Sequence, residues 1–555
     1  MSCKLARVVA PASRLHREQS AANPVIAVFH CDLPIPKSQS KMSSLFYRAT
    51  VGTLVSLTPQ SWTGVFVTTA VLAISINIIL MVVNAFWNLL YHPLARFPGP
   101  KLAAISNIPF SYWFLGGRQP QKMLELHLKY GSIVRTAPNE LSFNSASSWK
   151  DIYGPRAGHQ TFIKNNFYDG GSFANRGVRS IISEREPKLH ADMRRYLSPA
   201  FSDRALGEQE DLISQSIDRF IDLLPMRGDG YDIVKGFEML TFDIIGDLAF
   251  GETFGALESA EPHTWISIIL GSLKQGALID VYKRFPTMGK ILFFILRTYI
   301  KRLTKDTLAN EEMAIELVER RISRSSARKD FMDYLLNNHD EKEVSVIQMA
   351  AHASDFVIAG SETTATALAT ITYYLQRTPA VLKKLEDEVL SAFKSYDEIQ
   401  GRSTQWLKYL KAVILESLRI YPPVPFPLPR VVPSGGDVVD GHFLPANTIV
   451  YVNPLACSMN PRNFSQPDQF IPERWLDQNT NDILDASQPF SLGTRSCIGK
   501  SLGLLELRLI LAKLIWKYEI EILDDTLDWQ RDSDMRTLWE KPKLPVKIRT
   551  REHQN

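Results

Sequence analysis

The sequence predicts a mainly α-helical protein with a small β part, carried behind a single N-terminal transmembrane helix. Three observations lead there. From Gly64 to Leu90 the chain reads GVFVTTAVLAISINIILMVVNAFWNLL, without a charge; as a helix rising about 1.5 Å per residue it covers about 40 Å, enough for a hydrocarbon core of about 30 Å. Apolar residues then recur at three- and four-residue spacing through 237–255, 311–324, 346–376 and 380–393, which is helical periodicity. Past Arg419 the chain turns to YPPVPFPLPRVV and HFLPANTIVYVNPLA, whose prolines and β-branched residues read as short strands and turns.

Taken in order, residues 1–41 are polar and proline-containing, either a disordered tail or an over-extended gene model, since Met42 opens a plausible start of its own. Residues 42–63 are expected on the lumenal side and 64–90 form the anchor, with Trp62 and Trp87 at interfacial positions; Asn77 and Asn84 weaken its apolar character. Arg96, Lys101, Arg118 and Lys122 follow the anchor while only Arg48 precedes it closely, so the positive-inside rule leaves 91–555 in the cytosol. The apolar stretch is too long and too far along the chain for a cleaved signal peptide. Pro93, Pro98 and Pro100 around Gly99 make a stiff hinge.

The length of 555 residues suggests more than one domain, yet no linker divides 91–555. The net charge of +4 comes from 63 basic and 59 acidic residues, with no basic run that would mark a nucleic-acid binder. Cys3, Cys31, Cys457 and Cys497 are too sparse for a disulfide framework, which fits a reducing compartment.

Cys497 stands in PFSLGTRSCIGKSLG, just before a last apolar helix from about Ile498 to Lys517. A buried structural cysteine is the plain alternative, but it needs none of these neighbours. A thiolate ligand to haem iron uses them all: the start of a helix offers backbone N–H groups and the positive dipole end to sulfur. Gly493 and Gly499 allow close backbone approach, and Arg495 can pair with a haem propionate. Earlier in the chain, ESLR places Glu416 and Arg419 one helical turn apart, where they can pair on one face, and Arg474 in PDQFIPERW can complete a buried Glu–Arg–Arg network. AGSETT, Ala359–Thr364, puts a glycine, an acid and hydroxyls inside a long apolar helix, a locally unfavourable insertion.

These stretches, in this order, resemble the cytochrome P450 family of haem-thiolate monooxygenases, over roughly Tyr91 to the C-terminus. YHPLARFPGPKLAA and HADMRRYLSPAFS look like the membrane-bound fungal members, which include hydroxylases of terpenoid and polyketide secondary metabolites. The resemblance implies the cytochrome P450 fold, haem b ligated by Cys497, and a cofactor cradle of Phe490, Gly493, Arg495 and Gly499. His190 stands where many relatives carry tryptophan; with Arg194, and with Arg430 of PLPR, it is expected at the haem carboxylates. The absence of a CxxCH motif agrees with non-covalent haem. Thr363 is expected to order a water beside bound oxygen, with Glu362 relaying protons. Phe356, Ala359, Val424, Phe426 and Leu538 are expected around the substrate, and 161–177 as a lid.

No glycine-rich dinucleotide loop or flavin module is visible, so electrons are expected from NADPH-cytochrome P450 reductase, with cytochrome b5 as a second donor. Lys188, Arg195 and Lys500 are candidates for the docking face, solvated surface charge being the default. The expected location is the endoplasmic reticulum membrane, single-pass, and the substrate a small apolar molecule. Rival readings are a sterol- or benzoate-type or detoxifying member, a reductase-independent isomerase or dehydratase of the same fold, and a tethered haem-binding protein without turnover.

Overall fold

The computed structural model describes residues 62–552 except 171–172, 260, 262, 286–288, 290–293, 296, 325–328 and 338–343. The expectations for residues 1–41, and for 42–61, fall outside the described residues.

Helix α1 runs Trp62–Leu90 with no acidic or basic residue in its sequence, and its apolar side chains stand open, Phe66 at 76 % and Met81 at 71 % exposure. Such a surface is costly in water and fits lipid. The chain divides into two compact units, Met1–Leu80 and Met81–Asn555.

In the second unit the longer helices are α2 (Gln119–Tyr130), α3 (Pro187–Leu197), α4 (Asp203–Leu223), α5 (Ile233–Phe250), α6 (Thr264–Arg284), α7 (Arg297–Ser323), α8 (Val346–Arg377), α9 (Pro379–Ala392), α10 (Lys408–Ile420) and α11 (Lys500–Lys517). Their starts are chemically marked. The Ser202 hydroxyl accepts from Ala205 N before α4 and the Ser345 hydroxyl from Gln348 N before α8, and Pro187 opens α3 behind Glu186; each satisfies or removes an orphan donor. The helix expected over 237–255 stops at Phe250 because Gly251 takes the left-handed conformation, φ 72°, a C-terminal cap that glycine adopts at little cost.

α8 is the spine, buried over most of its length against α5. A Cβ at Gly360 would meet Ile245 Cδ1 at 3.0 Å, so the glycine of AGSETT lets α5 lie against the spine. A mixed sheet orders β1 (Ile133–Ala137), β2 (Glu140–Phe143), β8 (Ile449–Val452), β5 (Arg430–Val431) and β3 (Ile163–Lys164). β2 and β8 are parallel and the other pairs antiparallel. Smaller sheets join β4 (Tyr231–Asp232), β12 (Pro545–Thr550) and β9 (Tyr518–Ile522); the hairpins β6 (Asp437–Val439)–β7 (His442–Leu444) and β10 (Asp534–Arg536)–β11 (Leu538–Glu540) complete the β part. One large apolar core lies among the helices and a second lies under the mixed sheet, around Leu141, Phe143, Trp149 and Val450.

Candidate active site

The segment before α11 is a tight loop. Cys497 N donates to Phe490 O at 2.8 Å, and Gly493 holds φ 73° with its α-carbon so close to the Tyr153 carbonyl that a side chain has no room. Gly499 is different: its φ is −88°, and a Cβ there would meet only Phe201 Cε1 at 4.0 Å. The Cys497 thiol is exposed by surface area, yet burial is the largest influence on its titration and raises it, opposed by the Gly499 N–H and the charges of Arg194 and Lys500. The two observations agree for a side chain in the wall of an internal hollow. Arg194, on α3, donates to Ser496 O at 2.7 Å, so it fastens this loop.

Beside it lies a cluster of cations, Lys164 and Arg430 buried and Arg495 half-buried. The β3–β5 ladder sets Lys164 directly opposite Arg430. Lys164 Nζ donates to Ile182 O at 2.6 Å and Ile181 O at 3.2 Å; Arg430 Nη1 donates to Leu428 O and Pro429 O at 3.1 and 3.2 Å; Arg495 donates to Glu184 O and Arg185 O at 2.7 and 2.8 Å. Among the described residues none of the three has a carboxylate within 4.0 Å. Burial first, and then the neighbouring cations, push Arg495 down to about 10, His190 down to about 3 and Lys164 far below its usual value. Like charges set face to face away from water are unfavourable, so the cluster is built for an anionic group. Sequence reasoning named Arg430, Arg495 and His190 but missed Lys164, a lone lysine whose place is fixed only by strand register.

On α8, Ala359 is exposed and Gly360 and Thr363 are half-buried, while Val357, Ser361, Glu362 and Thr364 are buried. One stripe of the spine therefore opens onto space, and the Thr363 hydroxyl on it donates to Ala359 O at 2.6 Å. α11 meets α8 at the next residue: Thr364 hydrogen-bonds the buried Glu506, and a Cβ at Gly503 would lie 3.9 Å from Thr364 Oγ1. Glu362 does not face the stripe. Its Oε2 accepts from Lys541 Nζ at 2.9 Å, and the same ammonium lies 2.9 Å from Glu238 of α5.

The family model described as Cytochrome P450 matches residues 98–548. The chain is 50 % identical over 440 residues, 79 % of its length and 91 % of the relative's, to "Cytochrome P450 monooxygenase ORF11" of Penicillium roqueforti. It is 43 % identical over 475 residues (83 % and 93 %) to "Cytochrome P450 monooxygenase BipB" of Cochliobolus sativus. It is 40 % identical over 479 residues (85 % and 90 %) to "Cytochrome P450 monooxygenase BOT4" of Botryotinia fuckeliana. The chain belongs to the cytochrome P450 family. It is an oxidoreductase of the monooxygenase type, and the family implies a haem-thiolate cofactor, a redox partner and a small substrate. The residues fit that cofactor: a thiol opening on a hollow, with an N–H aimed at it, next to the buried Lys164 and Arg430 and the half-buried Arg495, which among the described residues have no carboxylate within 4.0 Å.

In this cytochrome P450 the ESLR and PERW stretches converge. Glu416 Oε2 accepts from Arg419 Nε at 2.8 Å and Trp475 Nε1 at 2.9 Å; Oε1 accepts from Arg419 Nη2 at 2.8 Å, Arg474 Nε at 3.1 Å and Ile471 N at 2.9 Å. Arg419 also donates to Ser458 O, Pro467 O and Gln469 O, and Arg474 pairs with Asp482. All of Glu416, Arg419 and Arg474 are buried.

The expected substrate residues divide. Ala359 lies on the open stripe, whereas Phe356 is 7 % exposed and packs on Phe201 and Phe331, centroids 5.1 and 5.9 Å away. Phe426 is buried, its ring 4.5 Å from Phe167 and 5.5 Å from Phe114. Val424 and Leu538 are half-buried. Within 161–177, leaving aside 171–172, Lys283 of α6 donates to Asn166 O at 2.5 Å, and Glu311 of α7 accepts from Phe173 N at 2.7 Å and Arg176 Nε at 3.0 Å. Residues of this segment are thus tied to both helices.

Proposed function

We propose that this chain is a haem b monooxygenase that hydroxylates or otherwise oxidises a small apolar molecule in fungal secondary metabolism, of terpenoid, polyketide or alkaloid class. Bound haem supplies activation of dioxygen and transfer of one oxygen atom to carbon. The chain supplies the rest. Cys497 would supply the thiolate ligand, with the Gly499 N–H stabilising its charge. Arg430, Arg495, His190 and Lys164 would hold the haem carboxylates, and Arg194 holds the Cys497 loop through Ser496 O. Phe490 and Gly493 shape the proximal side. Thr363, on the open stripe of α8, orders water for proton delivery, with Glu362 as proton donor. The walls of Val424, Phe426, Leu538 and Ala359 are apolar and orient substrate by exclusion of water rather than by charge.

Electrons come from NADPH-cytochrome P450 reductase, with cytochrome b5 as a second donor. The apolar helix α1 anchors the chain in the endoplasmic reticulum membrane with residues 91–555 in the cytosol, a side favoured by the basic residues after Leu90. The retained Glu362–Thr363 pair speaks against an isomerase that needs neither reductase nor oxygen.

The observation that carries this reading is the Cys497 thiol opening on a hollow beside a cation cluster that has no carboxylate within 4.0 Å among the described residues. Two measurements test it. The reduced carbon monoxide complex of the full chain should show the thiolate-specific Soret band, and Cys497→Ser should abolish it. Extracts of the source strain lacking the gene should accumulate a precursor with fewer oxygens than the lost product; a precursor with the same oxygen count would favour the isomerase.

A further inference from the structure

Glu362 is the proposed proton donor, yet its carboxylate is buried and held by Lys541. Three elements meet there: α8 brings Glu362, α5 brings Glu238, and the segment just after β11 brings Lys541. Lys541 and Glu362 are 3 % and 5 % exposed at their side chains, and Glu238 is 21 % exposed, the outer member. Two carboxylates share one ammonium, so the group carries one excess negative charge in a poorly solvated place. Such a group gains by taking up one proton. Burial, only partly offset by Lys541, and repulsion from Glu362 raise Glu238, with Asp232 adding a smaller push. Burial alone would lower Lys541, but Glu362 and Glu238 outweigh it and hold it above its usual value. The lysine therefore keeps its proton and serves as a fixed counter-charge.

Resting on that reading of Glu362, we infer that Lys541 and Glu238 are its positioning residues: the two carboxyls share one ammonium and one exchangeable proton, and the one carrying the proton is released. With the proton on Glu238, Lys541 pairs with Glu362 and locks it away from Thr363. With the proton on Glu362, the lysine stays paired with Glu238, and the neutral Glu362 carboxyl is free to turn toward the open stripe. The proton comes from solvent through the partly exposed Glu238 side, and one proton is taken up for each one delivered. Without Glu238, freeing Glu362 would strand a buried ammonium, which is the costly way to break an ion pair.

The test compares Glu238→Gln, Lys541→Met, Lys541→Arg and Glu362→Gln in the full-length, haem-loaded enzyme with its reductase. Glu238→Gln removes the alternative partner and locks Glu362. We expect product per NADPH to fall about tenfold, more hydrogen peroxide and a larger solvent isotope effect; the substrate-induced spectral shift and the carbon monoxide band should stay as in wild type. Lys541→Arg, which keeps the charge, should retain coupling within about threefold. Lys541→Met leaves two facing carboxyls that must share a proton, so its infrared spectrum should gain a protonated-carboxyl band that is lost in Lys541→Met/Glu362→Gln. Coupling and isotope effect at wild-type values in both Glu238→Gln and Lys541→Met, with Glu362→Gln impaired, overturn the inference and leave Glu362 standing. Wild-type coupling in Glu362→Gln overturns both. If Lys541→Met fails to fold, Glu238→Gln, nearly the same shape as the natural residue, decides alone.

Discussion

Lys164 and Arg430 stand opposite each other in the β3–β5 ladder, two buried cations whose hydrogen bonds go to backbone carbonyls and which lie over the rings of Tyr168 and Tyr153. Without an anion between them their juxtaposition is a standing cost. With a haem carboxylate it becomes a charge-assisted contact worth about 1.5–3 kcal/mol. Lys164→Gln should therefore separate two properties. The haem-free protein should be no less stable than wild type in denaturant unfolding, while the loaded protein should lose haem to an acceptor protein at least about tenfold faster. Equal rates of haem loss would show that Lys164 does not reach the cofactor.

Among the described residues the Glu416 carboxylate is the only acid within 4.0 Å of Arg419, and it accepts from both arginines and Trp475. Glu416→Gln leaves Arg419 fully buried with carbonyl partners alone. Breaking one member of a buried ionic group costs about 3–5 kcal/mol. The variant should unfold at markedly lower temperature and accumulate poorly in soluble, haem-loaded form. Unchanged melting would mean that the carbonyls of Ser458, Pro467 and Gln469 suffice for Arg419.

What the sequence made legible was local. The Cys497 loop, its helix and the interrupted spine are patterns within a few turns of chain, and helical periodicity placed α8, α9 and α11 closely. The end of α5 was missed by a few residues because one glycine's backbone conformation, at Gly251, decides it. Long-range pairings stayed hidden. Lys541 lies 179 positions from Glu362, and Lys164 meets Arg430 through two-residue strands too short to predict. Phe356 shares the helix with the open stripe, but periodicity cannot tell a wall facing a hollow from one facing the core; only its neighbours Phe201 and Phe331 do.

Leu102, Ile108 and Tyr112, beyond α1, are 68, 60 and 76 % exposed on two short helices at Lys101–Ile105 and Ile108–Leu115. Clustered exposed apolar residues of this kind favour a lipid surface. A chain lacking residues 1–90 should still sediment with phospholipid vesicles, and the triple change of these residues to glutamate should release it. Complete release of the shortened chain with its natural residues would show that α1 is the sole attachment.

Glu506 sits fully buried where α11 meets α8, and burial raises its carboxyl to about 8 despite the Thr364 hydrogen bond. Between the ordinary glutamate value of 4.5 and about 8 the folded protein thus holds a proton that the unfolded chain has lost. Stability from this group is fullest at low pH and falls as pH rises through that window. Asp355, raised to about 6, adds a slope of the same sign below that value. The buried His127 and His352, lowered to about 4 and 3, push the opposite way up to about pH 6.5. The informative quantity is therefore the difference between wild type and Glu506→Gln from pH 6 to 8, measured by denaturant unfolding. Wild type should lose about 2 kcal/mol relative to the variant across that range. Parallel curves would mean that Glu506 is already ionised in the folded protein at pH 6.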